Sequence, residues 1–194
     1  MIAFVRGKFV YKSPAVVHVD VNGIGYEVQI SLNTYTKIQS LDAGSLYTLL
    51  QIKEDSHTLY GFFDMAEKNI FVQLVSVNGV GSSTARMMLS AMQPEELAQA
   101  IVKGDTHQLE KIKGIGKKSA ERIVLELRDK MHKNFGETNS STFIHNTLEQ
   151  DALNALVALG IARNMAENAV KKATSSAPST ENLEILIKKA LQLI

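Results

Sequence analysis

Two short segments have the residue types and spacing to hold an anion: Asn78-Gly79-Val80-Gly81 and Lys113-Gly114-Ile115-Gly116, each immediately before a predicted helix. Glycines there let the backbone turn tightly and let a ligand approach closely, while the helix start leaves N–H groups without an internal acceptor. A phosphate is a natural guest for such a turn. In the second copy Lys117, Lys118 and Arg122 add cationic side chains, with Arg122 four residues after Lys118 on the same helical face. Such a site grips backbone phosphate and reads no base, so its binding is expected to tolerate any sequence and to weaken with salt. The plainer reading makes each Gly-x-Gly a tight inter-helix turn beside solvated lysines, and for one copy alone the two readings weigh about equally. Two copies, one flanked by a basic cluster, favour the phosphate. A nucleotide site is not expected, because Gly116-Lys117-Lys118-Ser119 lacks the upstream glycine and the Gly-Lys-Ser/Thr order of a phosphate-binding loop.

The elements that must position these residues follow from periodicity. Aligning residues 71–92 with 106–127 at an offset of 35 matches Gln73 with Gln108, Leu74 with Leu109, Gly79 with Gly114, Gly81 with Gly116 and Ala85 with Ala120. Each copy reads as helix, Gly-x-Gly, helix, and two copies can pack on one another as one domain over residues 64–133. Its first helix shows an apolar face of Ile70, Phe71, Leu74 and Val75. Residues 1–63 read instead as β structure. Val17, Val19 and Val21 alternate with His18 and Asp20, Tyr26, Val28 and Ile30 alternate with Glu27 and Gln29, and Asn22-Gly23 between the runs is a tight-turn signal. Thr48, Leu50 and Ile52 alternate with Leu49 and Gln51, with residues 58–63 as the return strand. About five short strands in this space suggest a small closed or partly open barrel.

Residues 134–148 are rich in Ser, Thr and Asn and show no sustained period, which predicts a linker. Over 149–194, Ala152, Leu153, Leu156 and Leu159 mark a helix ended by Gly160, and a second helix is expected through Ala173. A third is expected to start at Pro178, Ser179 and Thr180, with an apolar face of Leu183, Leu186, Ile187, Ala190, Leu191 and Ile194. Leu153, Leu156, Leu159, Ile187 and Leu191 read mostly as core by spacing, and any left exposed could serve as a docking patch. Three helices this short make a mini-domain whose core is marginal alone.

Composition bounds the rest. The chain has 194 residues, 45% hydrophobic and 21% charged, which excludes disorder throughout. Lys plus Arg (21) nearly balances Asp plus Glu (20), so any attraction to nucleic acid must come from a local patch. One exists: from Lys111 to Lys133 eight basic residues face only Glu121, Glu126 and Asp129. There is no cysteine, which excludes disulfides and thiolate zinc sites and fits a reducing compartment. The opening segment and the absence of an 18-residue apolar run argue against a signal peptide or membrane span, so a cytoplasmic location is expected.

Glu54 and Asp55 fall between two predicted strands, and for a lone acidic pair the plain reading is a solvated turn. Neither has partners for a metal-held catalytic role. His18, His57, His107, His132 and His145 are scattered without ligand spacing, so no metal, cofactor or catalytic residue is expected.

Taken in order, VNGIGYEV, IKEDSHTLYGF, NGVGSSTARMML and GIGKKSAERIVLELRDK, followed by a linker and a three-helix tail, resemble the RuvA family, the Holliday-junction-binding subunits of the bacterial branch-migration complex. The resemblance spans essentially the whole chain. It implies an N-terminal OB-fold barrel, a tandem helix-hairpin-helix DNA-binding domain and a UBA-like three-helix domain that contacts the RuvB ATPase. It also implies a homotetramer, or two stacked as an octamer, holding an open four-way junction, with the RuvC resolvase as a further partner. Glu54 and Asp55 would then form an acidic pin near the tetramer axis, where eight carboxylates would oppose close approach of phosphates and keep exchanging strands apart. Ser82-Ser83 stand where the family often has a proline and a lysine, which leaves the first hairpin its backbone donors, Ser83 among them, and ranks the second hairpin above it. The competing class, a helix-hairpin-helix repair nuclease or glycosylase, needs a catalytic Lys or Asp or a carboxylate cluster beside the hairpins. A passive duplex-binding protein would bind linear duplex as well as a junction.

Overall fold

The computed structural model describes residues 1–135, 144–175 and 182–194. Strands β1 (Phe4–Lys12), β2 (Val16–Val21), β3 (Ile24–Ile30), β4 (Ala43–Ile52) and β5 (His57–Phe62) close into a barrel in the order β1-β2-β3-β5-β4. Every contact is antiparallel except β3 with β5, and helix α1 (Leu32–Ile38) bridges β3 to β4, giving the OB-fold connectivity. Alternation places Val5, Phe9, Val17, Val19, Val28, Ile30, Leu46 and Leu59 inside, joined by Ile38 from α1. Asn22 (φ 52°) and Gly23 (φ 90°) make the tight turn between β2 and β3.

The helical part of the same compact unit contains α2 (Met65–Val75), α3 (Ser82–Ala91), α4 (Pro94–Lys103), α5 (Thr106–Glu110) and α6 (Lys117–Phe135). The repeat read from the sequence is α2-turn-α3 and α5-turn-α6, with α4 between. Ile70, Phe71, Leu74, Met88, Leu89, Leu97, Ile101, Leu109, Ile123 and Leu127 share one core, and Phe62 from β5 belongs to it. The barrel and the hairpins are thereby fused through apolar contact.

Polar ties reinforce the seam. The Ser82 hydroxyl donates to Gln51 Oε1 on β4 at 2.7 Å, and Arg86 Nη1 donates to the Ala15 carbonyl and to Gln29 Oε1. The Leu32 amide donates to Ser90 Oγ, and Asn33 Nδ2 donates to the carbonyls of Leu89 and Met92. All of these join α3 or its end to the barrel and α1.

Helices α7 (Ile144–Ala158), α8 (Arg163–Ser175) and α9 (Leu183–Gln192) form the second unit, around Ala152, Leu153, Leu156, Ala166, Ala169, Val170, Ala173, Leu186 and Ala190. The linker expected over 134–148 falls largely on 136–143, outside the described residues. At its edges the expectation fails, since residues 134–135 end α6 and 144–148 open α7. Extending an existing helix through polar residues costs far less than nucleating one, so loss of periodicity does not mark the end. Pro178, Ser179 and Thr180 also lie outside the described residues, and the cap of α9 is Asn182, whose side chain accepts from the Glu184 amide. Leu159 and Leu191, expected mostly in the core, are 65% and 43% exposed, because Gly160 (φ 92°) turns the chain away and the packed stripe of α9 is narrower than its apolar face.

Candidate nucleic-acid interface

The two hairpin turns have the same backbone geometry. Gly79 has φ 91° and Gly114 φ 92°, a region that side chains rarely enter, and each turn is closed by an equivalent bond, Val80 N–H to Val77 C=O and Ile115 N–H to Ile112 C=O, both 3.0 Å. The apolar residue between the glycines is buried in each copy, Val80 and Ile115, and anchors the turn to the core. The flanking glycines are exposed.

Gly81 and Gly116 differ from their neighbours. Neither has a positive φ, and an added Cβ at either would meet nothing within 4 Å. The fold therefore does not demand glycine there, whereas a ligand approaching the outside of the turn would. Each precedes a helix whose first amides lack an intrahelical acceptor, so donors and helix dipole converge on that open space. Lys117 and Lys118 are both exposed at the start of α6.

Ser83 is exposed at the start of α3, but Ser82 is buried and its hydroxyl is committed to Gln51. The first turn thus presents amides without a lysine at the start of its own helix. Arg122 reaches across: its Nη1 donates to the carbonyl of Asn78 in the first turn at 3.2 Å, while Nε lies 3.4 Å from Glu126. Sequence spacing placed it beside Lys118 and gave no sign of this partner.

Glu54 and Asp55 are exposed in the turn between β4 and β5, which the Lys53 amide closes on the Ser56 carbonyl at 2.8 Å. Gln51, the partner of Ser82, lies on β4 just before this turn, so the acidic pair and the first hairpin are tied to the same piece of strand.

A residue missed by spacing alone is Glu67. It interrupts the apolar stripe of α2 one turn before Ile70 and Phe71, and that interruption was the available signal. Its side chain is fully buried and accepts from the hydroxyls of Ser31 and Thr34, holding α2 against α1. Burial pushes its carboxyl up, and the two hydroxyls only partly oppose this. Nearby, burial would raise Asp64, yet the Lys37 ammonium at 2.6 Å and backbone donors hold it below its ordinary value. Among the described residues no group of three or more His, Asp or Glu could hold a metal ion, and no helix is long and apolar enough to cross a membrane.

A barrel fused to paired helix-hairpin-helix turns, with open amides and clustered lysines, defines a class of protein that grips the nucleic-acid backbone without reading bases. Comparison with known proteins narrows it: residues 1–61 match the RuvA N terminal domain, 71–129 a SAM-like helix-hairpin-helix tandem and 147–194 the RuvA C-terminal domain. Proteins named Holliday junction branch migration complex subunit RuvA align along the full chain. That of Cytophaga hutchinsonii is 41% identical over 100% of both chains, and that of Christiangramia forsetii 45% identical over 99% of both. The one from Amoebophilus asiaticus is 45% identical over 99% of this chain and 100% of its own. The chain belongs to the RuvA family.

Proposed function

We propose that this protein binds four-way DNA junctions by their backbone, independently of sequence, as the non-catalytic DNA-binding subunit of a branch-migration complex. The observation that carries the reading is the paired turn whose second glycine has no positive φ and would meet no atom of the fold with an added Cβ. Gly79, Gly81 and the Ser83 amide hold phosphate at the first hairpin; Gly114, Gly116, Lys117 and Lys118 hold it at the second. Arg122 lies at the edge of both. The work of migration comes from a partner ATPase of the RuvB type, docked through residues 149–194, where Leu159 and Leu191 offer exposed apolar surface. A RuvC-type resolvase is a further partner, the assembly is a homotetramer or a face-to-face octamer, and the compartment is the cytoplasm.

In a tetramer Glu54 and Asp55 act by repulsion. Their exposure and their position on a strand end tied to the first hairpin support a role facing DNA, and carboxylates there oppose the collapse of phosphates at the crossover. The test compares gel shifts of a four-way junction and a linear duplex of equal length, with the mass of each complex. Preference for the junction in a complex of four or eight chains is expected; equal affinity would make the protein a passive duplex binder. Replacing the pair as Glu54→Gln with Asp55→Asn should leave binding equal or tighter while lowering the junction-to-duplex ratio. An unchanged ratio and migration rate in a folded, tetrameric variant would remove the pin from the mechanism.

A further inference from the structure

We infer that Arg122 is a positioning residue: it fixes the spacing of the two hairpins instead of serving as a third cation for phosphate. Its Nη1 donates to the Asn78 carbonyl, a contact between residues 44 apart in sequence that joins α6 to the turn of the other hairpin. Its Nε faces the Glu126 carboxylate one helical turn further along, and the Arg122 side chain is 53% exposed. The guanidinium is thus oriented from both sides, and the adjacent carboxylate offsets its attraction for a phosphate.

The repeat shows that this contact is not a by-product of pairing two similar hairpins. At the offset of 35, Arg122 corresponds to Met87 and Asn78 to Lys113. Met87 is 41% exposed and its side chain carries no N–H to donate, so the equivalent side-chain bond in the other direction cannot form. Arg86 beside it is turned to the barrel. The first hairpin is therefore held to the barrel through α3, and Arg122 is a one-sided strut that sets the second hairpin's turn relative to it. Two grips on one DNA backbone reinforce each other only when their separation matches that of the phosphates, so a loosened strut weakens both together.

The inference rests on reading both hairpins as backbone grips, and the experiment has one arm with DNA and one without. In the first, the affinity of the full chain for a four-way junction is measured across salt concentrations for Arg122→Ala, Arg122→Lys, Glu126→Gln and Lys118→Ala. Lys118→Ala should lower the log-log salt slope by about one unit per subunit contact. Arg122→Ala should lose about tenfold in affinity at every salt concentration with the slope unchanged. Arg122→Lys should behave like the alanine variant, because a lysine keeps the charge but not the planar fork that reaches both Asn78 and Glu126. Glu126→Gln should bind no tighter than the parent. A slope lowered by one in Arg122→Ala, full rescue by lysine, or tighter binding by Glu126→Gln would each overturn the assignment in favour of a phosphate ligand.

The second arm uses the absence of cysteine to place spin labels at Asn78→Cys and Lys113→Cys alone, the Asn78 contribution being its backbone carbonyl. Adding Arg122→Ala should broaden the distance distribution between the two turns in free protein, whereas adding Lys118→Ala should not. An unchanged distribution overturns the strut, and this outcome does not depend on how the hairpins meet DNA.

Discussion

Gly114 and Gly116 lie in one turn, yet the fold asks different things of them. At Gly114 the φ of 92° makes any side chain strained, so Gly114→Ala should destabilise the protein by about 1–3 kcal/mol even though a Cβ has open space. At Gly116 there is neither strain nor a neighbour, and alanine there should cost at most about 1 kcal/mol, as a poorer residue at a helix start. Its methyl would stand in the space proposed for a phosphate oxygen, so junction affinity should fall at least about tenfold in a protein that melts nearly as the parent does. Thermal unfolding and gel shifts on the two variants check this. Wild-type binding by Gly116→Ala would reduce the turn to a structural corner.

At the scale of elements, α2 meets α1 through Glu67, and the sign of its effect can be worked out. Its folded-state pKa is raised above the ordinary 4.5, so the folded protein holds this proton more tightly than the unfolded chain does. The stabilisation is present below 4.5 and is lost as pH rises through the folded value. Asp64, lowered from its ordinary 3.8, contributes stability above that value and loses it only at lower pH, outside this window. Glu67→Gln, which cannot titrate, should therefore gain stability relative to wild type between pH 4.5 and 7.5, measured by urea unfolding; a constant difference would mean that Glu67 titrates alike in both states. The same region shows what the sequence could reveal. The hairpins and the face of α2 were legible because their signals are glycines and an apolar stripe. Helix α1 was not, because two of its three buried residues, Asn33 and Thr34, are polar and are held by hydrogen bonds to distant partners. Helix α4 carried readable signals, Pro94 at its start, Glu96 in a capping box with Gln93 and Gly104 at its end, but it lies between the repeats and outside their alignment. Partners 44 apart, such as Arg122 and Asn78, are set by tertiary packing and leave no local trace.

For the whole molecule, each unit has apolar clusters of its own among the described residues, two within 1–137 and one within 138–194. Removing 149–194 should therefore leave junction binding close to that of the full chain and abolish stimulation of the partner ATPase. A truncated protein that stays folded and tetrameric yet loses the junction would overturn the division of labour. The ties between α3 and the barrel have a mechanical side. Ser82, Arg86 and Ser90 span almost the whole length of α3, and Asn33 fastens its far end. On the proposed reading, a pull on a phosphate at the first hairpin passes into the barrel through several bonds set side by side along α3. If the first hairpin holds phosphate as proposed, it is a fixed jaw, and a strand drawn past it meets a grip whose stiffness comes from the barrel behind it.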